Sequence, residues 1–324
     1  MSFRTIVVPE PLEKKLTYAT SALFVGSCFA TVIGDWLREL KMPVMVNPFG
    51  TLYNPFSIHA MLERMLEQRP FTGEELVRYQ DKWLSLMHDT SFSGEEKEEV
   101  LERMNRVLEE GAAHLRKLHH LFITFGTARV YRWRKDGRVV ANCHKLPASF
   151  FTRELLQPEE ITEQWEPLLS RLFGMVPGLQ VILTVSPVRH WKDGATGNQL
   201  SKSVLHVAVH RLTEMDPRIR YFPAYEILMD DLRDYRFYAA DMLHLSDTAE
   251  AYVRMRFREA VIDREAWPVM KEVEKLQKAK AHRPFRPGSE DHRRFRKRML
   301  EKVLRLEERY PFLDLNEEKQ MFSQ

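Results

Sequence analysis

Five short apolar runs, set far apart along the chain, most constrain its fold. They lie at 22–25, 43–46, 121–125, 181–185 and 218–222. Near-continuous apolar runs of this length are typical of parallel strands that are buried on both faces, and the stretches between them are long enough for crossover helices. The pattern therefore predicts an α/β fold with a mainly parallel five-stranded sheet and helices on both faces.

The length of the chain limits how many domains it can form. With 324 residues, 44% of them apolar, it can bury one sizeable α/β core and still carry an insertion and a tail. We predict a main domain over 1–265 and a helical extension over 266–324. The long connection at 55–118 is predicted to be a helical insertion, which either caps the active site or only extends the helical layer.

The tail carries the excess of positive charge. Residues 271–310 contain 14 lysines and arginines against 7 acidic residues, whereas the whole chain has a net charge of only +3. Apolar residues recur at helical spacing over 290–309, which predicts an amphipathic helix. We expect this helix to dock on its own domain or on the second copy of a homodimer, with an anionic surface as the alternative; no nucleic-acid-binding motif accompanies the charge.

A candidate nucleophile follows the first apolar run. Gly26 and Ser27 stand where the strand should end and a helix begin. The free N–H groups of a helix N-terminus stabilise negative charge, which favours a nucleophilic serine at that point. The alternative is a structural turn in which Ser27 is the helix N-cap. Cys28 is a rival nucleophile, ranked below Ser27 because adjacent side chains in such a turn point in different directions.

A carboxylate and an imidazole stand close together late in the chain. Asp241 precedes His244 by three residues, a spacing that lets the carboxylate hold the Nδ1–H of the ring and leaves Nε2 free to take a proton from a serine. The alternative is that Asp241 or Ser246 caps the helix that follows. An early Gly-Ser and a late Asp-x-x-His, in this order, match a known hydrolase plan.

Six motifs spread over roughly residues 20–260 point to one family. They are Gly26-Ser27-Cys28-Phe29-Ala30, Asn47-Pro48-Phe49-Gly50-Thr51, Thr124-Phe125-Gly126-Thr127-Ala128, Asn142-Cys143-His144-Lys145, Ser186-Pro187-Val188-Arg189-His190 and Asp241-Met242-Leu243-His244. Through them the chain resembles the GSCFA family, within the SGNH (GDSL-like) hydrolases. The resemblance implies a flavodoxin-like three-layer α/β/α fold, with Ser27 as nucleophile, His244 as general base and then acid, and Asp241 as the orienting carboxylate.

The resemblance also implies an oxyanion hole, with one departure from the SGNH pattern. The backbone N–H groups of Ser27 and Gly50 are the first two expected donors. The third is an asparagine in Gly-x-Asn-Asp, but this chain has Gly-Thr-Ala-Arg at that point. Either Thr127 or Asn142 would replace the asparagine, and loss of one such donor typically costs two to three decades in rate.

Further polar residues are predicted to contact substrate. Arg189 and His190 follow the run at 181–185, the usual location of ligand contacts in an open α/β sheet. An arginine there binds a carboxylate or sugar hydroxyls, or caps strand-end carbonyls. The full predicted set is Asn47, His88, His144, Lys145, Arg189 and His190. We predict no metal and no cofactor, because two cysteines far apart offer no paired ligand spacing of the zinc type.

These features predict a serine esterase. The resemblance implies that its substrate is an O-acyl ester, with O-acetyl expected, on a carbohydrate or other polar alcohol. The alternatives are an O-acyltransferase with the same triad and a non-catalytic binding or scaffold protein on the hydrolase fold. No apolar run is long enough to span a membrane. Residues 1–9 contain only a brief apolar stretch that ends at a proline, so we expect no signal peptide and a cytoplasmic location.

Overall fold

The computed structural model describes residues 4–282, 285–286 and 288–323, so the first three residues of the N-terminal stretch considered above lie outside it. Its strands are, in chain order, β1 (Ala22–Gly26), β2 (Val44–Val46), β3 (Leu76–Tyr79), β4 (Lys82–Ser85), β5 (Ser93–Gly94), β6 (His120–Phe125), β7 (Arg129–Trp133), β8 (Val139–Val140), β9 (Phe151–Leu155), β10 (Gln180–Val185) and β11 (Ile219–Tyr221). Five strands form one sheet in the order β11-β10-β6-β1-β2, with every pairing parallel. The predicted parallel sheet is confirmed, and each strand end differs from the predicted run by at most one residue.

Helices cover both faces of this sheet. In the part of the chain that the structure describes, they are α1 (Cys28–Glu39), α2 (Pro55–Glu67), α3 (Lys97–Leu115), α4 (Pro158–Met175), α5 (Gly194–Met215), α6 (Ala224–Glu226), α7 (Asp247–Val261), α8 (Trp267–Lys280), α9 (Glu290–Arg309) and α10 (Asn316–Ser323). Side chains alternate along a strand, so Leu23 and Val25 of β1 pack in one apolar cluster with α2–α5, and Ala22 and Phe24 in another with α1 and α6–α10. This double burial explains why the strands read as continuous apolar runs.

The insertion at 55–118 is only partly helical. Helices α2 and α3 join the first cluster and extend the helical layer. Between them, however, β3, β4 and β5 form a small antiparallel sheet, because Gln80 and Asp81 turn the chain between two strands. This sheet packs through a third apolar cluster against a second small antiparallel sheet of β8, β7 and β9.

The C-terminal helices pack on their own chain. Val303 and Leu306 of α9 are buried in the same cluster as α1. Glu318 of α10 is fully buried, where its carboxylate lies 3.1 Å from Lys41 Nζ and accepts a hydrogen bond of 2.9 Å from Gln277 Nε2. The amphipathic helix predicted at 290–309 is confirmed as α9, and its buried residues dock on its own domain.

The strand order places a topological switch point at the C-terminal edge of the sheet. From β1 the chain crosses to β2 on one side, and it returns to β6 on the other side of β1. The helices that follow β1 and β6 therefore lie on opposite faces of the sheet. The place between two such strands is called a topological switch point, and open α/β sheets usually bind their ligands there. Gly26 pairs with Thr124 in the register of these two strands, so Ser27 lies at the switch point.

Gly26 allows β1 and β6 to approach closely just before Ser27. Its φ is +129°, and a β-carbon built on it would lie 2.2 Å from the carbonyl oxygen of Thr124. We therefore expect Gly26→Ala to lower the free energy of unfolding by roughly 2–5 kcal/mol, because backbone strain adds to steric overlap. Gly178→Ala is the matched control, since no atom lies within 4 Å of its added β-carbon. Equal urea midpoints for the two variants would contradict this explanation.

Candidate active site

Ser27 occupies the N-cap position of α1, but its hydroxyl does not cap the helix. Its backbone is extended, with φ −69° and ψ 174°, and its side chain makes no capping hydrogen bond. The residue is 1% exposed, and Oγ has no hydrogen-bond partner among the described residues. An N-cap serine normally bonds to an N–H group of the first turn. The capping alternative therefore does not account for this hydroxyl, and a buried polar atom without a partner needs a functional or structural explanation.

Asn47 fixes the turn that precedes Ser27. Its Oδ1 accepts a hydrogen bond of 2.8 Å from the backbone N–H of Gly26, and its Nδ2 donates one of 2.8 Å to Thr31 Oγ1. Asn47 itself has a φ of +40°, which asparagine tolerates better than most residues. The structure thus gives this residue, predicted to contact substrate, a positioning role between β1 and α1.

Cys28 is half-buried, and burial raises the pKa of its thiol despite the nearby charge of Lys202. A raised pKa keeps the sulfur protonated near neutral pH, and the thiolate is the nucleophilic form. This environment favours Ser27 over Cys28 as the reacting group.

Asp241 and His244 form a close pair in a turn before α7. Asp241 Oδ2 lies 2.6 Å from His244 Nδ1, while Oδ1 accepts backbone N–H bonds of 2.9 Å from Leu243 and His244. The backbone and ring N–H groups of His244 hold the pKa of Asp241 at about 2. Because an ionised carboxylate only accepts hydrogen bonds, Nδ1 carries the proton in the neutral form of the ring and Nε2 has the lone pair.

The structure brings Asp241 to His244, but it does not hydrogen-bond His244 to Ser27. The side chain of His244 is 53% exposed, whereas Ser27 is buried. Hydrogen bonds between catalytic groups are often long in the absence of substrate. The contact between His244 and Ser27 that a reaction with both residues requires is therefore not formed in this structure.

The two backbone donors predicted for the oxyanion hole are already engaged within the protein. The N–H of Ser27 donates to the carbonyl oxygen of Thr124 at 3.1 Å, and the N–H of Gly50 donates to that of Asn47 at 2.8 Å. An N–H group in a good internal hydrogen bond has no second proton to offer. The structure therefore does not present these two groups as a preformed oxyanion hole.

Neither candidate for the third donor hydrogen-bonds to Ser27. The Thr127 hydroxyl pairs with Ser201 Oγ at 3.0 Å. Asn142 lies beside the small sheets, where its backbone N–H donates to Leu86 at 3.2 Å and its side-chain oxygen accepts from the His144 N–H at 2.8 Å. Both residues stabilise loops in this conformation.

Lys202 of α5 is a fully buried cation beside the switch point, and sequence reasoning missed it. Its Nζ donates to the carbonyl oxygens of Gly126 and Ser186, each at 2.7 Å, just beyond the ends of β6 and β10. Burial lowers the pKa of its ammonium group to about 7, while the neighbouring Cys28 opposes that shift. The available signal was helical spacing, because Lys202 shares the buried face of α5 with Leu205.

His190 and Arg189 follow β10, where the sequence placed them. The backbone N–H of His190 donates to Asn198 Oδ1 at 2.8 Å, its ring centroid lies 5.8 Å from that of Tyr53, and burial lowers its pKa. Tyr53 also borders the nucleophile, because its carbonyl oxygen accepts the Gly126 N–H at 2.8 Å. A β-carbon built on Gly126 would lie 3.1 Å from that carbonyl oxygen and 3.2 Å from Ser27 Cβ, so Tyr53 connects His190 to the surroundings of Ser27.

His88 has a packing environment rather than an open one. It is 0% exposed, its Nδ1 lies 2.7 Å from Ser85 Oγ, and its ring contacts those of Phe49, Phe71 and Phe92. Burial lowers its pKa to about 3, so the ring is neutral at physiological pH. A contact with substrate would require this aromatic cluster to open.

His144 and Lys145 lie in the loop between β8 and β9 of the second small sheet. His144 is half-buried, and its Nε2 donates to the carbonyl oxygen of Ser85 at 2.7 Å. Lys145 is exposed, and both residues have a positive φ. The hydrogen bond ties the His144 ring to the insertion rather than to Ser27.

Fold and site together define a class: an α/β protein with one parallel sheet, a serine at its switch point and a late Asp–His pair. The chain belongs to the GSCFA family, whose family model matches residues 21–257. A second model, the C-terminal domain of GSCFA domain proteins, matches residues 273–324. A comparison with curated proteins gave no match. Among the described residues, no helix is both long and apolar enough to cross a membrane.

Proposed function

We propose that this protein is an SGNH-type serine ester hydrolase. The observation that supports it most is the Ser27 hydroxyl, which is buried at the N-terminus of α1, faces the switch point and has no partner among the described residues. The Asp241–His244 pair adds an imidazole whose Nε2 is free to act as a base. Serine, histidine and carboxylate in these roles are the parts of a catalytic triad.

The reaction proceeds through an acyl-enzyme. As Ser27 Oγ attacks the ester carbonyl carbon, His244 Nε2 takes the hydroxyl proton and the carbonyl π electrons move to oxygen. Collapse of this intermediate breaks the bond to the alcohol oxygen, which receives the proton from His244. Water then attacks the acyl-enzyme by the same steps, and the carboxylic acid is released. Asp241 stabilises the His244 imidazolium in both half-reactions.

The first turn of α1 supplies oxyanion donors in this proposal. The N–H groups of Cys28 and Phe29 precede the first helical hydrogen bond, which the Ala30 N–H donates to Ser27, so they have no partner within the helix backbone. Both lie beside the Cys28 thiol, where they oppose the rise of its pKa. They lie immediately after Ser27, and the helix dipole adds partial positive charge at the same point. As oxyanion donors, these two N–H groups would take the place of the N–H groups of Ser27 and Gly50, which already donate hydrogen bonds within the protein.

The proposed substrate is an O-acyl ester, with O-acetyl preferred, on a carbohydrate or other polar alcohol. Support comes from the membership in the GSCFA family and from the polar groups of Tyr53 and His190 in the surroundings of Ser27. Delivery of the acyl group to a second alcohol instead of water would make the same site an O-acyltransferase. Product analysis with and without added alcohols separates the two reactions.

Active-site labelling tests the proposal. A fluorophosphonate probe should add covalently to Ser27 in the wild type, because it reacts with activated serines. Ser27→Ala should lose both the adduct, located by peptide mass spectrometry, and the turnover of 4-nitrophenyl acetate.

Cys28→Ala is the matched control, because it alters the neighbouring side chain and leaves the serine in place. It should keep the adduct and most of the turnover. Labelling that disappears with Cys28→Ala but persists in Ser27→Ala would overturn the assignment of the nucleophile. A folded wild-type protein with neither label nor turnover would favour the alternative of a non-catalytic binding protein.

A further inference from the structure

Arg189 is a partly buried cation that has no acidic partner among the described residues. Its Nη2 contacts only the sulfur of Met229, at 3.4 Å, and its Nε is buried without any hydrogen-bond acceptor. A guanidinium group offers five N–H donors in a fixed planar fork. Removal of such a charge from water is unfavourable unless an anion or several acceptors compensate for it.

The neighbouring cations differ from Arg189 in this respect. Arg129 and Arg153 both pair with the buried carboxylate of Asp193. The ammonium group of Lys192 donates to Tyr131 Oη at 2.8 Å. Asp193 therefore already pairs with two other cations, and no ion pair joins Arg189 to an acidic side chain among the described residues.

Arg189 lies between the two halves of the proposed catalytic machinery. On one side, the adjacent His190 packs against Tyr53, which borders Gly126; a β-carbon on Gly126 would lie 3.2 Å from Ser27 Cβ. On the other side, Tyr238 Oη lies 3.9 Å from the same Met229 sulfur that Arg189 contacts.

Tyr238 links this position to the base. Its backbone forms an antiparallel bridge with Leu245, the residue directly after His244. Tyr53 and Tyr238 therefore connect Arg189 to the surroundings of Ser27 on one side and of His244 on the other.

We propose that Arg189 binds a carboxylate carried by the ester substrate, so that the natural substrates are anionic esters. This inference rests on the proposed esterase function and adds the charge of the substrate to it. Two parallel N–H···O bonds would satisfy the guanidinium fork and fix the carboxylate, which orients the scissile carbonyl toward Ser27. Arg189 is a specificity residue in this scheme and takes no part in proton transfer.

Paired esters measure the preference for charge. 4-Nitrophenyl hemisuccinate carries a carboxylate on the acyl side, and 4-nitrophenyl butyrate is a neutral analogue of the same length. O-acetyl lactate and isopropyl acetate form the corresponding pair on the alcohol side. For each pair we compare kcat/KM for the anionic ester with kcat/KM for the neutral ester. Arg189→Gln should lower this ratio by roughly 10- to 100-fold in at least one pair, which is the range expected for a lost charged hydrogen bond. Lys192→Gln, which removes a nearby exposed cation, should leave both ratios within about twofold.

A binding measurement separates failure of this inference from failure of the esterase proposal. In the Ser27→Ala protein, which needs no turnover, monomethyl succinate should bind more tightly than dimethyl succinate by NMR titration. Addition of Arg189→Gln should abolish that difference. Equal binding of the two compounds, or ratios that Arg189→Gln and Lys192→Gln change equally, would overturn the inference even if Ser27 proves to be a nucleophile.

Discussion

Asp241→Asn is expected to lower the turnover of 4-nitrophenyl acetate by about 10⁴-fold, the loss typical of this substitution in a serine triad. Asparagine keeps the Oδ1 atom that accepts the Leu243 and His244 N–H groups, so the turn should keep its shape. It replaces Oδ2 with an NH₂ group, which faces Nδ1 of the ring as a donor. The ring must then move its proton to Nε2, where it can no longer accept the proton of Ser27.

Asp247→Asn is the control for this experiment. Asp247 stands in the first turn of α7, six residues after Asp241, and takes no part in the hydrogen bonds of the His244 ring. Its substitution should change turnover less than about threefold. If Asp241→Asn keeps full turnover and the same pH profile, the imidazole is not oriented by Asp241 and the triad assignment is wrong.

Lys202→Met is expected to produce the largest change in stability. Methionine fills a similar volume but leaves the carbonyl oxygens of Gly126 and Ser186 without the donor that each now has at 2.7 Å. Each buried acceptor without a partner costs about 1–3 kcal/mol, so the two together should cost roughly 2–6 kcal/mol of the free energy of unfolding at about pH 9. Lys271→Met, at an exposed position of α8, should stay within about 0.5 kcal/mol of the wild type.

The effect of Lys202→Met should depend on pH. Burial lowers the pKa of Lys202 from 10.5 to about 7, so at pH values between these limits the unfolded chain holds a proton that the folded protein has lost. The free energy of unfolding of the wild type therefore rises with pH through this window, by up to about 1.4 kcal/mol per pH unit. The variant lacks this rise because methionine does not titrate. Guanidinium unfolding at about pH 6 and about pH 9 should show a larger difference between the proteins at the higher pH. A constant difference would mean that Lys202 does not titrate in this window.

The sheet could be predicted from sequence because burial on both faces leaves a direct mark on composition. Each of the five strands is an apolar run, and the long gaps between them demand crossover connections. The short strands of the insertion leave no such mark. Polar and apolar residues mix in β3 and β4, and only one face of each packs in the third cluster.

The site was predictable in residue type but not in hydrogen bonding. Order and spacing were enough to pair Asp241 with His244. Sequence could not show that the Gly50 N–H is already used by Asn47, because that depends on the path of the loop after β2. Lys202 was missed for a different reason. A lysine on an apolar helix face usually extends its charge into water, and only the tertiary fold reveals two carbonyl oxygens that hold it inside.

Because Glu318 packs near α1, the surroundings of the candidate nucleophile Ser27 are completed late during synthesis of the chain. Ser27 is the N-cap of α1, and just beyond the other end of this helix Lys41 meets a carboxylate that lies more than 270 positions later in the chain. A ribosome makes the turn at Ser27 early, but α1 gains this neighbour only after α10 has left the exit tunnel. During translation the Ser27 hydroxyl is therefore carried on a helix that lacks part of its packing, and the surroundings of the candidate site depend on α10 as well as on the sheet.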